Sequence, residues 1–189
     1  MRAAHQGVAA LDSSPVRVER SRDTHPAERD GRFSTSLETN GFEVTKNDLI
    51  EAARAAAAHA HAPYSRFGVG AALLMTDGSV VTGCNFENAS YGLSLCAETV
   101  ALAKAASQGR LREVAEVAVI GGAIGAGGLT GTAPVSPCGR CRQVLNEAAQ
   151  MGGRDLVIHC AAAVGGAVAT YRLSELLPHA FGPADLGLG

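Results

Sequence analysis

From residue 45 onward, helical and strand-like patterns alternate along the chain, and this alternation constrains the fold more than any other feature of the sequence. The order is helix, strand, strand, helix, strand, helix, strand, strand, with a short helix at the end. Helices interleaved with strands pack on the faces of a sheet that contains both parallel and antiparallel neighbours. We therefore predict an α/β protein with three layers, α/β/α, built around one mixed five-stranded sheet.

Local signals place the individual elements. Thr45 and Asp48 predict a capping box at the start of the first helix, which should end before Pro63. The Gly-rich segment from Gly121 to Gly131 has no phosphate-binding or dinucleotide pattern and is interpreted as a connection. The other elements are predicted as strands at Val69 to Met75, Ser79 to Phe86, Val114 to Ile120, Leu156 to Ala161 and Ala167 to Tyr171, and helices from Leu95 to Ser107, Pro137 to Met151 and Leu173 to Leu177.

The first 43 residues differ from the rest of the chain. Residues 1–42 contain six Arg and six Asp or Glu, and no helical or strand period runs through them. Such a segment buries too little apolar surface to offset its loss of conformational entropy on folding. We predict a flexible N-terminal extension at 1–43 and one folded domain at 44–186.

Composition excludes several classes of function. The 16 basic and 18 acidic residues nearly balance, so no overall charge favours nucleic acid or an anionic membrane as a partner. No apolar run approaches the roughly 18 residues that a membrane-spanning helix needs. Five cysteines, an odd number, without a secretory signal pattern favour a reducing cytoplasm over a disulfide scaffold.

The segment Pro137-Cys138-Gly139-Arg140-Cys141 contains the first chemical signal. Two cysteines three residues apart on a helix lie on one face, and the positive end of the helix dipole favours their thiolates. The pair can therefore bind one metal ion. Two small buried side chains or a redox dithiol are the alternatives.

A second signal, Cys96-Ala97-Glu98, favours the metal interpretation. Cys96 lies near a predicted helix start and would be a third thiolate. Glu98 points about 200° around the helix from Cys96, so it is poorly placed as a fourth ligand. Three ligands leave the fourth zinc position for water, which is typical of a catalytic site, and a nearby carboxylate can then carry protons.

Together these two segments resemble the signature of zinc deaminases that act on nucleobases or nucleosides. Further motifs narrow the resemblance to the cytidine and deoxycytidylate deaminase family, in its small, homotetrameric, three-cysteine type. The resemblance extends over about residues 44–186. The motifs are Asn85 to Tyr91, Pro63 to Phe67 with Gly70 to Ala72, Leu176 to Pro178 and Phe181 to Leu186.

The resemblance implies a fold, a cofactor and a reaction. It implies one Zn²⁺ per subunit, hydrolytic deamination of cytidine and 2′-deoxycytidine, and a homotetramer whose pockets are shared between subunits. The residues it implicates are the zinc ligands Cys96, Cys138 and Cys141, the catalytic Glu98, and the substrate-binding Phe67, Asn85, Glu87, Ala89, Tyr91, Ala97 and Phe181.

One position departs from the family pattern. Many relatives place Arg directly after the catalytic Glu, where it can offset the negative charge of three thiolates, whereas this chain has Thr99. We hypothesise that two helix N-termini, aided by Arg140 or Arg142, supply the compensation. Cys84 and Cys160 are interpreted as structural, and His59 and His61 as surface residues.

Two alternatives stay open at this stage. The chain could deaminate another substrate, such as a nucleoside antibiotic or an RNA base, although no concentration of basic residues favours RNA. It could also be a non-catalytic zinc-stabilised module that binds a partner. Such a module would not need Glu98, so this residue discriminates between an enzyme and a binding module.

Overall fold

The computed structural model describes residues 43–188. The predicted extension at 1–43 lies, apart from Glu43, outside those residues and stays a prediction. No helix in the described part is long and apolar enough to cross a membrane. The helices are α1 (Lys46–Ala57), α2 (Ala97–Ser107), α3 (Gly139–Met151) and α4 (Leu173–Leu176), and the strands are β1 (Phe67–Met75), β2 (Val80–Cys84), β3 (Val114–Gly125), β4 (Gly128–Thr130), β5 (Val157–Ala162) and β6 (Val168–Arg172).

The strands form one mixed sheet in the order β2-β1-β3-β5-β6, with β4 added to the end of β3. β3 and β5 run parallel, and Ala118 pairs with His159 between them. All the other pairs of strands are antiparallel. The parallel pair requires a crossover, which α3 provides.

Helices cover both faces of the sheet, which confirms the predicted three layers. On one face, apolar residues of α1 pack against Ala72, Ala118 and Ile120 of the sheet. On the other face, α2 and α3 pack against side chains that alternate with these along the same strands, such as Leu73 and Val119. Alternate strand residues point to opposite faces, so each central strand contributes to both cores.

The first helix begins as predicted. Thr45 is its N-cap, and the Thr45 hydroxyl accepts a hydrogen bond from the Asp48 amide at 3.3 Å. The Asp48 carboxylate in turn accepts from the Thr45 amide at 3.0 Å, which completes the capping box.

The interpretation of Gly121 to Gly131 as a connection was wrong. β3 continues to Gly125, and β4 returns antiparallel to it, which makes a sixth strand. A Cβ atom at Gly122 would lie 2.1 Å from the Thr130 carbonyl oxygen, so glycine is what allows β4 to lie so close. Glycines that suggest a loop in the sequence therefore serve strand packing here.

Several predicted helix starts shift by one or two residues. α2 begins at Ala97, and Cys96 is its N-cap. α3 begins at Gly139, and Cys138 is its N-cap, so Pro137 precedes the helix and does not begin it. Both cysteines therefore have extended backbone dihedrals at the boundary of a helix.

Candidate active site

The three cysteines of the motifs meet where α2 and α3 begin. Cys96 and Cys138 are the N-caps of the two helices, and Cys141 is buried in the first turn of α3. Close packing of α2 on β2 fixes the start of α2, because a Cβ atom at Gly83 would lie 2.7 Å from the Ala97 carbonyl oxygen. Two helix N-termini thus point their unpaired N–H groups toward one cluster of sulfur atoms.

The geometry of the sulfur cluster fits a zinc ion. The three Sγ atoms of Cys96, Cys138 and Cys141 lie within 4.8 Å of one another, and those of Cys96 and Cys138 are 3.9 Å apart. Tetrahedral zinc with Zn–S bonds of about 2.3 Å needs sulfur atoms about 3.8 Å apart. All five cysteines are free thiols, so no disulfide competes for these sulfur atoms.

Proton sharing within the cluster prepares a thiolate. Hydrogen bonding from the Cys141 thiol, helped by Cys138 and the charge of Arg140, lowers the pKa of Cys96 to about 6. The pKa of Cys141 is raised, because the Cys96 sulfur and the Glu98 carboxylate both attract its proton and because it is buried. A metal ion, which binds thiolate and displaces the shared protons, satisfies the same set of sulfur atoms.

Glu98 contacts this cluster from inside the protein. Its side chain is 3% exposed, and the Cys141 thiol donates a hydrogen bond of 3.2 Å to the Glu98 Oε2 atom. Burial raises the pKa of Glu98 above its ordinary value. A carboxyl group whose pKa is shifted toward neutrality can both accept and donate a proton during a reaction.

A cavity of about 340 Å³ opens in front of the cluster. That volume is at the lower end of the range typical of small-molecule pockets. Its lining combines three parts of the predicted site, namely the ligands Cys96 and Cys138, the acid Glu98 and the predicted substrate contacts Phe67, Asn85 and Glu87.

Hydrogen bonds hold two of these substrate contacts in place. The Asn85 amide accepts from Val69 N at 2.8 Å and donates to the Phe67 carbonyl at 2.9 Å, which ties the end of β2 to the start of β1. Glu87 Oε2 accepts from the amides of Tyr64 and Ser65 at 2.9 and 3.1 Å. Hydrogen bonds from the side chain of Ser65 and from these amides lower the pKa of Glu87.

The other predicted substrate contacts do not line the cavity of this chain. Ala97 is fully buried as the first residue of α2. Ala89, Tyr91 and Phe181 lie at the surface, and the rings of Tyr91 and Phe181 are 73% and 63% exposed. The structure therefore brings the inner part of the predicted site together and leaves these outer residues facing away from the protein.

Sequence reasoning missed a large part of the cavity wall. The missed residues are Ser65, Val69, Ser94, Leu95, Val119, Val135 and Ser136. Most are small or apolar residues with no chemical signature of their own. Their positions could have pointed to some of them, since Leu95 precedes Cys96, Ser65 lies near Phe67 and Ser136 lies near the cysteine pair.

Of the residues that could offset the negative charge of the three thiolates, Arg140 is the one that the structure favours over Arg142. The Thr99 hydroxyl lies 3.9 Å from the Cys141 sulfur, in reach of a weak polar contact. Arg142 donates to the carbonyls of Pro137 and Leu176 at 2.8 and 2.9 Å, so its guanidinium group binds backbone carbonyl groups. The charge of Arg140, in contrast, contributes to the lowered pKa of Cys96.

Cys84, Cys160, His59 and His61 lie apart from the cluster. Cys160 is buried in the sheet, and burial raises its pKa to about 11. Cys84 is half-buried at the end of β2. His59 and His61 are exposed, as predicted, and the His61 ring stacks on Phe86 at 5.6 Å.

Comparison with known proteins agrees with this geometry. Residues 44–159 match the family described as the cytidine and deoxycytidylate deaminase zinc-binding region. A cytidine deaminase of Halalkalibacterium halodurans is 46% identical over 138 residues, which cover 73% of this chain and 95% of the relative. One from Mycobacterium tuberculosis is 47% identical over 145 residues, covering 76% and 95%.

A solved structure extends the likeness to the fold. The cytidine deaminase of Burkholderia pseudomallei aligns with a TM-score of 0.62 at 46% identity, over 72% of this chain and 99% of that one. Sequence pattern, sulfur cluster and fold thus agree. The chain belongs to the cytidine and deoxycytidylate deaminase family of zinc-binding proteins.

Proposed function

We propose that this protein hydrolyses cytidine and 2′-deoxycytidine to uridine and 2′-deoxyuridine, with release of ammonia, as a step of pyrimidine salvage. The observation that carries the proposal is the position of Glu98. This buried carboxyl group contacts the sulfur cluster and also lines the cavity. The relatives named above, all cytidine deaminases, support the choice of substrate.

Cys96, Cys138 and Cys141 would hold one Zn²⁺ per subunit, because their sulfur atoms have the spacing that tetrahedral zinc needs. Held by three protein ligands, such an ion supplies Lewis acidity that makes a water molecule more acidic near neutral pH. The two helix N-termini stabilise the thiolates with their N–H groups. The two helices therefore keep the ligands charged and hold them at the spacing that the ion needs.

Glu98 carries the protons of the reaction. Its carboxylate takes a proton from the attacking water and delivers it to ring N3, which makes C4 more electrophilic. The water oxygen bonds to C4. Glu98 then takes the second proton from the new C4 hydroxyl group and gives it to the departing amine, so that the C4–N bond breaks, the C4=O bond forms and ammonia leaves. The raised pKa of Glu98 suits both directions of transfer.

The nucleoside is recognised at the other end of the cavity. The Phe67 ring, at the cavity wall, stacks on the pyrimidine. Glu87 uses Oε2 for two backbone amides, so its Oε1 atom can accept a hydrogen bond from a ribose hydroxyl, and Asn85 binds the same hydroxyl. The backbone of Ala97 meets the base. Such contacts favour a free nucleoside over a nucleotide within RNA.

The outer residues complete the pocket in a homotetramer. Large apolar side chains of a monomer are seldom exposed together, and a contiguous exposed group marks an interaction surface. Tyr64 and Tyr91 contact each other edge to face at 5.6 Å, and both are about half exposed or more. We assign this surface, with Ala89 and Phe181, to contacts between subunits that share their pockets.

The setting of the reaction is the cytoplasm. Five free thiols, three of them needed as metal ligands, require reducing conditions. The partner is a small nucleoside, and neither nucleic acid nor a membrane is expected to bind.

Ammonia release by the purified chain tests the proposed function. Cytidine, 2′-deoxycytidine, free cytosine and a cytosine-containing RNA oligonucleotide are compared at equal concentration. We expect release from the two nucleosides, little from cytosine and none from RNA. Release from RNA alone, or from none of the four, would contradict the proposal, and size-exclusion chromatography with light scattering tests the tetramer on the same sample.

A further inference from the structure

The last residues of the described chain lie along α3, and side-chain amides hold them there. Gln143 Nε2 and Asn146 Nδ2 both donate to the Phe181 carbonyl, at 2.7 and 3.3 Å. Gln150 Oε1 accepts from the Ala184 amide at 3.0 Å. Because positions 143, 146 and 150 follow helical spacing, the three amides form a row on one face of α3. We call Gln143, Asn146 and Gln150 the amide row.

Gly182 allows the close approach that these hydrogen bonds need. A Cβ atom there would lie 2.4 Å from Gln150 Oε1 and 2.7 Å from Asn146 Nδ2. Asn146 is only 8% exposed, so its amide has little room to move away. Asp185 adds a further bond, since its Oδ2 atom accepts from the Gly182 amide at 2.8 Å. The backbone at 181–182 is therefore fixed independently of the Phe181 side chain.

The Phe181 ring gains little from this arrangement within its own chain. Two hydrogen bonds hold its carbonyl group, yet 63% of the residue is exposed. An aromatic ring left in water does not contribute the stabilising free energy that its burial would supply. A rigid backbone under an outward-pointing ring is the arrangement expected of an anchor for another molecule, because little further ordering is lost on binding.

We propose that the amide row is a positioning device, which sets Phe181 at the angle needed to complete the substrate cavity of a neighbouring copy. This rests on the proposed function, in which Phe181 belongs to a shared pocket. The same helix holds Cys138 and Cys141 at its first turn. α3 therefore links the metal site of its own subunit to the substrate cavity of the next.

Two variants break the amide row, and a third variant serves as the control. Asn146→Asp removes the N–H donor at almost constant volume. Gly182→Ala leaves the sequence of α3 unchanged and displaces the segment, because the new Cβ atom would lie too close to Gln150 and Asn146. Glu147→Gln changes an exposed residue of the same helix that, among the described residues, makes no hydrogen bond with the segment. Losing one buried hydrogen bond corresponds to about tenfold in an equilibrium constant. We expect KM for cytidine to rise about tenfold in both variants, with kcat within about twofold, and no change in the control.

Mixed assemblies then separate action on a neighbour from action within one chain. Asn146→Asp copies, which keep Glu98, are co-assembled with Glu98→Gln copies, which keep the amide row. We expect KM to fall back toward that of the unaltered protein, because the correctly positioned Phe181 of the Glu98→Gln copies completes the cavities of the active copies. A KM that stays high in the mixture, or that never rises in Asn146→Asp, overturns the proposal.

Failure of the proposed function has a different signature. It shows as no ammonia release from cytidine by the unaltered chain. Hydrogen exchange of the amides at 182–188 then tests the row directly. Faster exchange in Asn146→Asp than in Glu147→Gln supports its positioning role, and equal exchange overturns it.

Discussion

The inner and outer parts of the predicted site differ in how the chain holds them. At the inner end, Cys141 and Glu98 are buried, and the helix starts that carry the ligands are packed against the sheet. At the outer end, Tyr91 and Phe181 lie on connecting segments with most of their surface exposed. The sulfur cluster and Glu98 are thus assembled within one chain, whereas the proposed function assigns Tyr91 and Phe181 to a cavity shared with a second copy.

The two carboxylates of the cavity show the same contrast. Burial raises the pKa of Glu98, while hydrogen bonds from Ser65 and the neighbouring amides lower the pKa of Glu87. Opposite shifts suit opposite tasks, since a proton carrier must change charge and a hydrogen-bond acceptor must keep it. Changes at the inner end should therefore alter kcat, and changes at the outer end should alter KM.

Removal of the metal should give the largest effect. Zinc chelation is expected to abolish activity while the domain stays folded, because a core of about 140 residues does not depend wholly on a metal ion. Ammonia release, metal content and circular dichroism are followed during titration with chelator. Simultaneous loss of activity and of the circular dichroism signal of the folded domain would show that the fold itself depends on the metal ion.

Glu98→Gln should reduce kcat by about 10³-fold or more, because the amide cannot carry protons. Metal content should stay at one zinc per chain, since the residue is not a ligand. Glu51→Gln, an exposed change on α1, is the control. Zinc lost together with activity would mean that Glu98 holds the metal site together.

Tyr91→Ala should raise KM about fivefold and leave kcat within about twofold, since an aromatic contact contributes about 1 kcal/mol. Tyr171→Ala on β6, outside the surface that we assign to contacts between subunits, is the matched control. Steady-state kinetics on both purified variants give the comparison. A fall in kcat with constant KM would place Tyr91 with the inner end instead.

Thr99→Arg should shift the acidic limb of the kcat pH profile down by less than about one unit. A positive charge introduced at position 99, whose hydroxyl group now lies 3.9 Å from the Cys141 sulfur, would offset the negative thiolates and favour deprotonation at the site. Thr99→Val, which adds no charge, is the control. If the acidic limb of Thr99→Arg lies at the same pH as that of the unaltered protein, charge at position 99 does not affect deprotonation at the site.

The pH dependence of KM should be the smallest effect. The pKa of Glu87 is lowered from 4.5, so its carboxylate stays charged above that value, and protonation cannot weaken ribose binding there. KM is therefore expected to be constant from about pH 8 to about pH 5. A KM that rises within this interval, measured in buffers of equal ionic strength, would contradict a permanently charged Glu87.

Much of the fold and the inner site could be predicted from local patterns. The capping box at Thr45, the spacing of Cys138 and Cys141, and the five main strands all follow from residues close together in the chain. β4 could not, because Gly128 to Thr130 form a strand only through their pairing with β3, which the missing side chain of Gly122 allows. The cavity wall was also missed at Val119 and Val135, whose residue type carries no chemical meaning until the chain folds.

By itself, the sequence determined the layers, the ligand types and the acid, because helix and strand periods, cysteine spacing and the charge of a carboxyl group are local properties. Only the tertiary structure decided that Cys96 and Cys138, which are 42 positions apart, bring their sulfur atoms to 3.9 Å and that Glu98 is buried beside them. It also decided that α3 holds the backbone of Phe181 while its ring points outward. Distances between remote residues and the desolvation of a charge depend on packing, which no local pattern records.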